Sequence, residues 1–223
     1  MEFLKTLEAN SSPIYNWTEI KQKQLHVSYT QLFPRNSVES KLLFGQLEEE
    51  VSYLTGELSR VKVFGKWYPV PRQQVSYGDC GITYTYSGVT LPTKSWIPVL
   101  KGLKNCVEKV TGFRYNFVLV NRYADGEDYV GEHKDSEKAI DPNVPIASLS
   151  FGASRDFYFK HGDHRKGDKS EPVVSVLLED GMLLLMNPPT NKFWYHSLPV
   201  RKSCKNVRIS LTFRRILNSD SDK

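Results

Sequence analysis

The apolar positions of this chain recur with two different periods. Between residues 36 and 56 they fall three and four apart, at Leu43, Leu47, Val51 and Leu54, which predicts a helix with one buried stripe. Asn36 is the expected N-cap, with Glu39 three residues on, and Gly56 the expected stop. A second stripe, Ile97, Leu100, Leu103, Val107 and Val110, predicts a helix starting at Ser95. Pro98 is tolerated in its first turn and Gly112 suits its end. From Tyr115 onward the period becomes two. Tyr115–Val120, Ile146–Ser150, Arg155–Phe159, Val173–Leu178, Met182–Met186 and Val207–Phe213 are short β-favouring runs separated by turn residues. Residues 60–90 add Tyr-, Thr- and Val-rich pieces broken by glycine and proline. Helices followed by many short strands predict an α+β fold whose second half is a sandwich or barrel. Residues 1–15 are expected to form a loose arm, 16–217 a single domain and 218–223 a polar tail.

Composition changes this picture little. The 223 residues, 39% hydrophobic and 25% charged, suit one globular domain with a sizeable core. No apolar run approaches the roughly 18 residues of a membrane span, so no membrane partner is expected. Met1 to Lys5 lack the apolar stretch of a secretory signal. Cys80, Cys106 and Cys204 are far apart and odd in number, which fits neither a zinc site nor a disulfide framework and points to a reducing compartment. Lys and Arg number 30 against 25 Asp and Glu, a slight lean towards a polyanionic partner.

The candidate chemistry lies in the second half. In an extended segment residues i and i+2 project to the same face, so His133 and Asp135 can address one ion, with His196 closing from a distant strand. Two imidazoles and a carboxylate leave other positions open, the arrangement of non-haem iron oxygenases. A His-x-Asp pair also arises without a metal, and by itself does not decide. His161-Gly162-Asp163-His164 is a rival cluster, although its Lys-, Gly- and Asp-rich setting reads better as a hairpin loop. In the run Arg208 to Arg214, Arg208, Ser210, Thr212 and Arg214 share one strand face and Ile209, Leu211 and Phe213 the other. Two arginines on one face call for anions, and a dicarboxylate supplies two. Asn121 and Tyr123, on one face of another alternating run, offer neutral hydrogen bonds beside them.

The order and spacing of Asn121-x-Tyr123, His133-x-Asp135, His196 and Arg208-x-Ser-x-Thr-x-Arg214 resembles the AlkB family. Longer strings are similar too, among them Val63 to Trp67, Tyr77 to Asp79, Ser150 to Ala153 and Trp194 to Pro199, and they point to the branch acting on duplex DNA in animal nuclei. The resemblance spans about residues 14–217. It implies a double-stranded β-helix, or jelly roll, braced by N-terminal helices. It implies iron held by His133, Asp135 and His196, and 2-oxoglutarate held by Asn121, Tyr123, Arg208, Thr212 and Arg214. The activity implied is oxidative removal of alkyl groups from 1-methyladenine, 3-methylcytosine and etheno-bases, with O2 consumed and formaldehyde, succinate and CO2 released. Phe64, Gly65 and Lys66 resemble a finger entering the duplex. Tyr84, Thr85 and Tyr86 resemble a lid around the flipped base, and Ser136 and Glu137 would face its polar edge. Arg72, Arg201, Lys202 and the loop from Lys160 to Lys169, with His161, His164, Arg165 and Lys166, are the expected phosphate contacts. The chain departs from the family where Ser210 replaces the usual Asn, Ser136 an acidic residue and Tyr86 a Phe. Residues 1–12 do not match a clamp-binding peptide, so a sliding-clamp partner is not expected; a nuclear monomer is. An RNA demethylase or protein hydroxylase of the same superfamily, or a non-catalytic nucleic-acid binder, are the other readings.

Overall fold

The computed structural model describes residues 15–217, apart from 64–65, 87–88, 92 and 168–169. The first half contains β1 (Thr18–Gln22), β2 (Leu25–Gln31), helix α1 (Val38–Glu50), β3 (Arg60–Val63), β4 (Lys66–Pro69) and β5 (Gln73–Gly78). Next come β6 (Tyr84–Tyr86), β7 (Val89–Leu91), β8 (Thr93–Ser95) and helix α2 (Pro98–Thr111). The second half contains β9 (Phe117–Tyr123), β10 (Val130–His133), β11 (Ile146–Gly152), β12 (Arg155–His161) and β13 (Val174–Leu178). It closes with β14 (Met182–Met186), the short helix α3 (Thr190–Phe193), β15 (Trp194–Leu198) and β16 (Arg208–Arg214).

An eight-stranded sheet runs β1-β2-β14-β11-β16-β9-β5-β8, and a four-stranded sheet runs β10-β15-β12-β13. β5 and β8 pair in parallel; the other pairings within these two sheets are antiparallel. Alternation decides which layer each side chain joins. Ile209, Leu211 and Phe213 of β16, Val118 and Val120 of β9, and Ala147, Leu149 and Phe151 of β11 are buried in one core with Leu43 and Leu47 of α1 and Leu100, Leu103 and Val107 of α2. The opposite face of the large sheet packs Val27, Tyr123, Ile146 and Leu184 against Phe159, Val176, Trp194 and Leu198 of the small sheet. Helices thus brace the outer face, and the two sheets enclose the inner one, as in a double-stranded β-helix. Arg122 shows the rule on β9: it points away from its neighbours Asn121 and Tyr123 and makes a two-pronged pair with Glu48 of α1 at 2.7 and 2.8 Å.

β1, β2, β10, α3 and β15 have no counterpart among the predicted elements, and the predicted ones depart mainly at their ends. α1 is capped by Ser37, whose hydroxyl accepts from the Ser40 N–H, and not by Asn36. Asn36 is left-handed at φ 57°, with its N–H on the Asp180 carboxylate. The helix stops at Glu50, yet Val51 and Leu54 remain buried beyond it. α2 begins at Pro98, because Ser95 is still paired in β8, and ends at Gly112 in the left-handed region. β9 opens at Phe117, since the Tyr115 N–H is taken by the Glu108 carboxylate at 2.7 Å. Among the described residues no helix is long and apolar enough to cross a membrane.

Candidate active site

β10 and β15 pair so that His133 lies directly opposite His196, with ring centroids 4.2 Å apart. β10 ends at His133, so Asp135 lies two residues beyond the ladder and not on the strand face expected for it. It nevertheless joins them: one ligand atom from each of the three lies within 4.8 Å of the others, the single such cluster among the described residues. The Asp135 Oδ1 is 3.6 Å from the Nε2 of His133 and 3.9 Å from that of His196. The Nδ1 of His133 sits 2.9 Å from the Gly131 carbonyl, which places its proton there and leaves Nε2 as the ligand atom. The other carboxylate oxygen of Asp135 accepts from Arg214 Nε and Nη2 at 2.9 and 2.6 Å. Two imidazoles and one carboxylate oxygen therefore converge from one side, the donor set of a non-haem iron site.

Burial and neighbouring charges keep His196 and Asp135 deprotonated. Burial pushes His196 down, the neighbouring His133 adds to the shift, and Asp135 only partly opposes it, leaving a pKa of about 3. For Asp135, burial raises the pKa, but Arg214, His196 and His133 together outweigh it and bring it to about 2. Both shifts make the metal-free protein acid-sensitive. The unfolded chain protonates its histidine near its ordinary value of 6.5, while folded His196 resists to about 3. Its contribution is therefore complete above that ordinary value and declines as pH falls through the interval, by at most about 1.4 kcal/mol per pH unit. Asp135 contributes above its ordinary value of 3.8 and loses that contribution as pH falls towards 2. Thermal unfolding of metal-free protein at pH 7, 5 and 4 should show a falling Tm, and His196→Leu should flatten the upper part of the decline. An unchanged slope in that variant would show that His196 is not held neutral.

The polar face of β16 lines a pocket beside the triad. Arg208, Ser210, Thr212 and Arg214 meet Asn121 and Tyr123 there. Arg208 is 1% exposed. Its Nη2 donates to Ser150 Oγ at 2.9 Å and to Ser210 Oγ at 3.4 Å, but Nε and Nη1 meet no acceptor among the described residues. Burial lowers its pKa to about 10, still charged at neutral pH. A buried guanidinium with two donors in hand fits a carboxylate. Arg214 is arranged differently, because its Nε and Nη2 are engaged with Asp135. The Tyr123 ring stands between two guanidiniums, Arg208 at 5.3 Å and Arg155 at 5.9 Å. Ser210, shorter than the usual Asn, still lies 3.3 Å from Ser148 Oγ.

Several residues fall elsewhere than expected. Arg72 is half-buried: its Nε donates to Asn121 Oδ1 at 2.8 Å and its Nη1 to the Tyr129 carbonyl at 3.3 Å, and it lines the pocket beside the triad. His161 is 5% exposed and packs edge-on against Trp194 at 5.2 Å, which leaves little of it for a phosphate, and it belongs to no cluster of metal-ligating side chains among the described residues. Lys160 pairs with Glu132 at 2.8 Å and Arg201 with Asp156 at 2.8 Å. Ser136 is exposed and Glu137 half-buried, both lining a cleft that adjoins Asp135. Lys66 is exposed at the start of β4. Phe64 and Gly65 lie outside the described residues, as do the side chains of Tyr84, Thr85, Tyr86, Arg165 and Lys166 and all of Lys169. A wider cleft of about 920 Å³, lined by residues from 35–44, 152–154, 177–180 and 201–207, lacks this donor set. Its buried carboxylate, Asp180, is consumed by Asn36, Ser40 and Gly152.

A two-sheet β-helix with this donor set and a buried arginine beside it defines an iron- and 2-oxoglutarate-dependent oxygenase. The profile of the 2OG-Fe(II) oxygenase superfamily matches residues 28–214, and the chain belongs to that superfamily, in its AlkB branch. It is 52% identical over 204 residues to a Mus musculus protein named DNA oxidative demethylase ALKBH2, covering 91% of this chain and 84% of that one. The Homo sapiens protein of the same name is 53% identical over 204 residues, covering 91% and 77%. A Rattus norvegicus alpha-ketoglutarate-dependent dioxygenase, alkB homolog 3, is 38% identical over 157 residues, 67% of this chain and 51% of that one. In fold the chain resembles the solved structure of OsALKBH1, with a TM-score of 0.57 at 14% identity, over 89% of this chain and all of the other. Fe(II), 2-oxoglutarate and O2 are the cofactor set of this superfamily.

Proposed function

We propose that this chain removes alkyl groups from damaged bases in double-stranded DNA, and that it works in the nucleus as a monomer. 1-Methyladenine and 3-methylcytosine are the expected substrates, with etheno adducts beside them. The observation that carries the reading is the placement of the three-residue donor set next to the buried, donor-rich Arg208. Relatives more than half identical bear the name DNA oxidative demethylase.

Bound iron, with 2-oxoglutarate and O2, supplies oxidation of the N-alkyl carbon, after which formaldehyde leaves. The residues of the chain position and exclude. His133, Asp135 and His196 hold the metal from one side. Arg208 takes a carboxylate of the co-substrate, with Asn121, Tyr123 and Thr212 around it, while Arg214 holds Asp135 ionised. Ser136 and Glu137, at the neighbouring cleft, face the base, together with Tyr84, Thr85 and Tyr86. A base inside a duplex must be extruded to reach them.

A second feature supports a duplex substrate. β3 and β4 form a separate two-stranded ribbon, with all four residues of β4 exposed, including Trp67 at 46% and Tyr68 at 48%. Aromatic rings and Lys66 in the open suit a stacked, anionic partner better than water. The ribbon is rooted at the pocket, because Arg72 follows it by three residues and bonds Asn121. Phe64, between the two strands in sequence, is the proposed residue that fills the gap left by the base. Formaldehyde release should be measured on methylated duplex DNA, single-stranded DNA, RNA and peptide. Duplex DNA is expected to be used well, and turnover confined to RNA or peptide would overturn the reading. Phe64→Ala should slow duplex repair by roughly tenfold, the equivalent of one lost stacking contact, and single-strand repair much less. Equal losses on both, with a lowered Tm, would make Phe64 a packing residue.

A further inference from the structure

The metal ligands are not held alike. His133 and His196 are fixed by a strand ladder, where each is the other's partner. Asp135 is past the end of that ladder, and its peptide needs other partners, because buried N–H and C=O groups are almost always paired. One side chain supplies both. Asn191 Oδ1 accepts from the Asp135 N–H at 3.0 Å, and Asn191 Nδ2 donates to the Asp135 C=O at 2.6 Å. A side-chain amide has the donor and acceptor of a peptide, so the pair imitates one rung of a sheet.

The rung stands on a fixed support. Asn191 belongs to α3, the short turn that leads directly into β15, five positions before His196. Its neighbour Thr190 is 1% exposed and treats β2 in the same way: Oγ1 accepts from the His26 N–H at 2.7 Å and donates to the His26 C=O at 3.0 Å. Asn187 adds a backbone bond to the same carbonyl at 2.9 Å. On the ligand side, the Lys134 ammonium donates to the Lys192 carbonyl at 2.7 Å and lies 4.7 Å from the Tyr195 ring centre. One turn therefore joins the large sheet, the loop of Asp135 and the strand of His196.

We propose that Asn191 is a positioning residue for iron, setting the carboxylate of Asp135 against the two imidazoles by clamping both polar groups of its peptide. The proposal rests on Asp135 being a metal ligand. Support of this kind around metal ligands typically changes metal affinity about 10–100-fold when removed. Asn191 lies outside the pocket of Arg208, although it lines the cleft of Ser136 and Glu137, so metal binding measured without DNA is the readout that isolates its clamp.

The test is titration of metal-free protein with Co(II), followed by its visible absorption, for the parent, Asn191→Ala and Asp135→Ala. Asn191→Ala should weaken Co(II) binding about 10–100-fold and alter the ligand-field bands. Its 2-oxoglutarate requirement, measured at saturating Fe(II), should stay within about twofold, because Asn191 does not line the pocket of Arg208. Co(II) affinity and spectrum equal to the parent's would overturn the clamp. Equal binding by the parent and Asp135→Ala would instead overturn the ligand assignment itself, so the two failures are distinct. If Asn191→Ala does not fold, the parent protein still decides: the Asp135 amide proton should exchange slowly by NMR in the metal-free form. Exchange as fast as that of exposed loop amides would overturn the proposal.

Discussion

Asp135→Ala should abolish formaldehyde production, by about 1000-fold or more, and should also lower the melting temperature. The first effect follows from the donor set. Without the carboxylate oxygen that faces both imidazoles, the metal keeps two ligands, and a loss of this size corresponds to about 4 kcal/mol of transition-state stabilisation. The second effect follows from Arg214. Its guanidinium is 4% exposed in the side chain and leans on Asp135 at 2.6 Å, so the variant strands a buried charge. Breaking one side of such a pair typically costs about 3–5 kcal/mol. The double variant Asp135→Ala with Arg214→Met removes both charges and should regain much of the lost stability while remaining inactive. His133→Ala is the companion: His133 does not partner Arg214, so turnover should be lost with a smaller change in melting temperature. Formaldehyde release, metal content and unfolding curves measured together check this. Turnover within tenfold of the parent in iron-loaded Asp135→Ala would remove Asp135 from the ligand set.

Arg208→Met should raise the 2-oxoglutarate concentration needed for half-maximal turnover by about 100-fold. Truncating one side of a buried, hydrogen-bonded charge pair commonly removes 2–5 kcal/mol of binding, and about 2.7 kcal/mol is a hundredfold. Arg208→Lys keeps the charge but loses the planar fork and the bond to Ser150, so about a tenfold rise is expected. Arg214 should behave differently, since two of its donors are committed to Asp135 and its loss acts through the metal ligand. Co-substrate titrations at saturating iron separate the two arginines. If Arg208→Met shows the parent's 2-oxoglutarate dependence, the carboxylate is bound elsewhere.

Much of the site was legible because its strands are amphipathic in the plainest sense. β16 places a polar series on one face and a core series on the other, β9 ends its inward face in Asn121 and Tyr123, and the triad spacing sits between them. Legibility fails where structure depends on distant pairing. β1 is mostly exposed and polar, so only its ladder with β2 reveals it. β10 has four residues, contains a glycine and carries a register shift, so no period of two can show in it. Asn191 is one asparagine in a turn, and its meaning lies in a partner 56 positions away. Arg155 reads as an ordinary strand residue. In the fold it is 1% exposed, bonds the carbonyls of Asp125, Asp128 and Pro199, and backs Tyr123. Arg72 carries the charge of a phosphate contact, but its bond to Asn121, 49 positions away, cannot be read from the sequence. A charge in sequence says nothing about direction.

β16 carries the hydrophobic core on one side and the co-substrate pocket on the other, and that division governs how such a protein can change over generations. Slipping this strand by one residue in its ladder would carry both guanidiniums into the helix-packed layer and the Phe213 ring to the pocket face. The strand therefore tolerates no shift of frame, and its chemistry can be revised only by replacement in place. Ser210 is a position where such replacement is possible: its side chain belongs to the pocket face, while Ile209 and Leu211 on either side keep their buried places in the core.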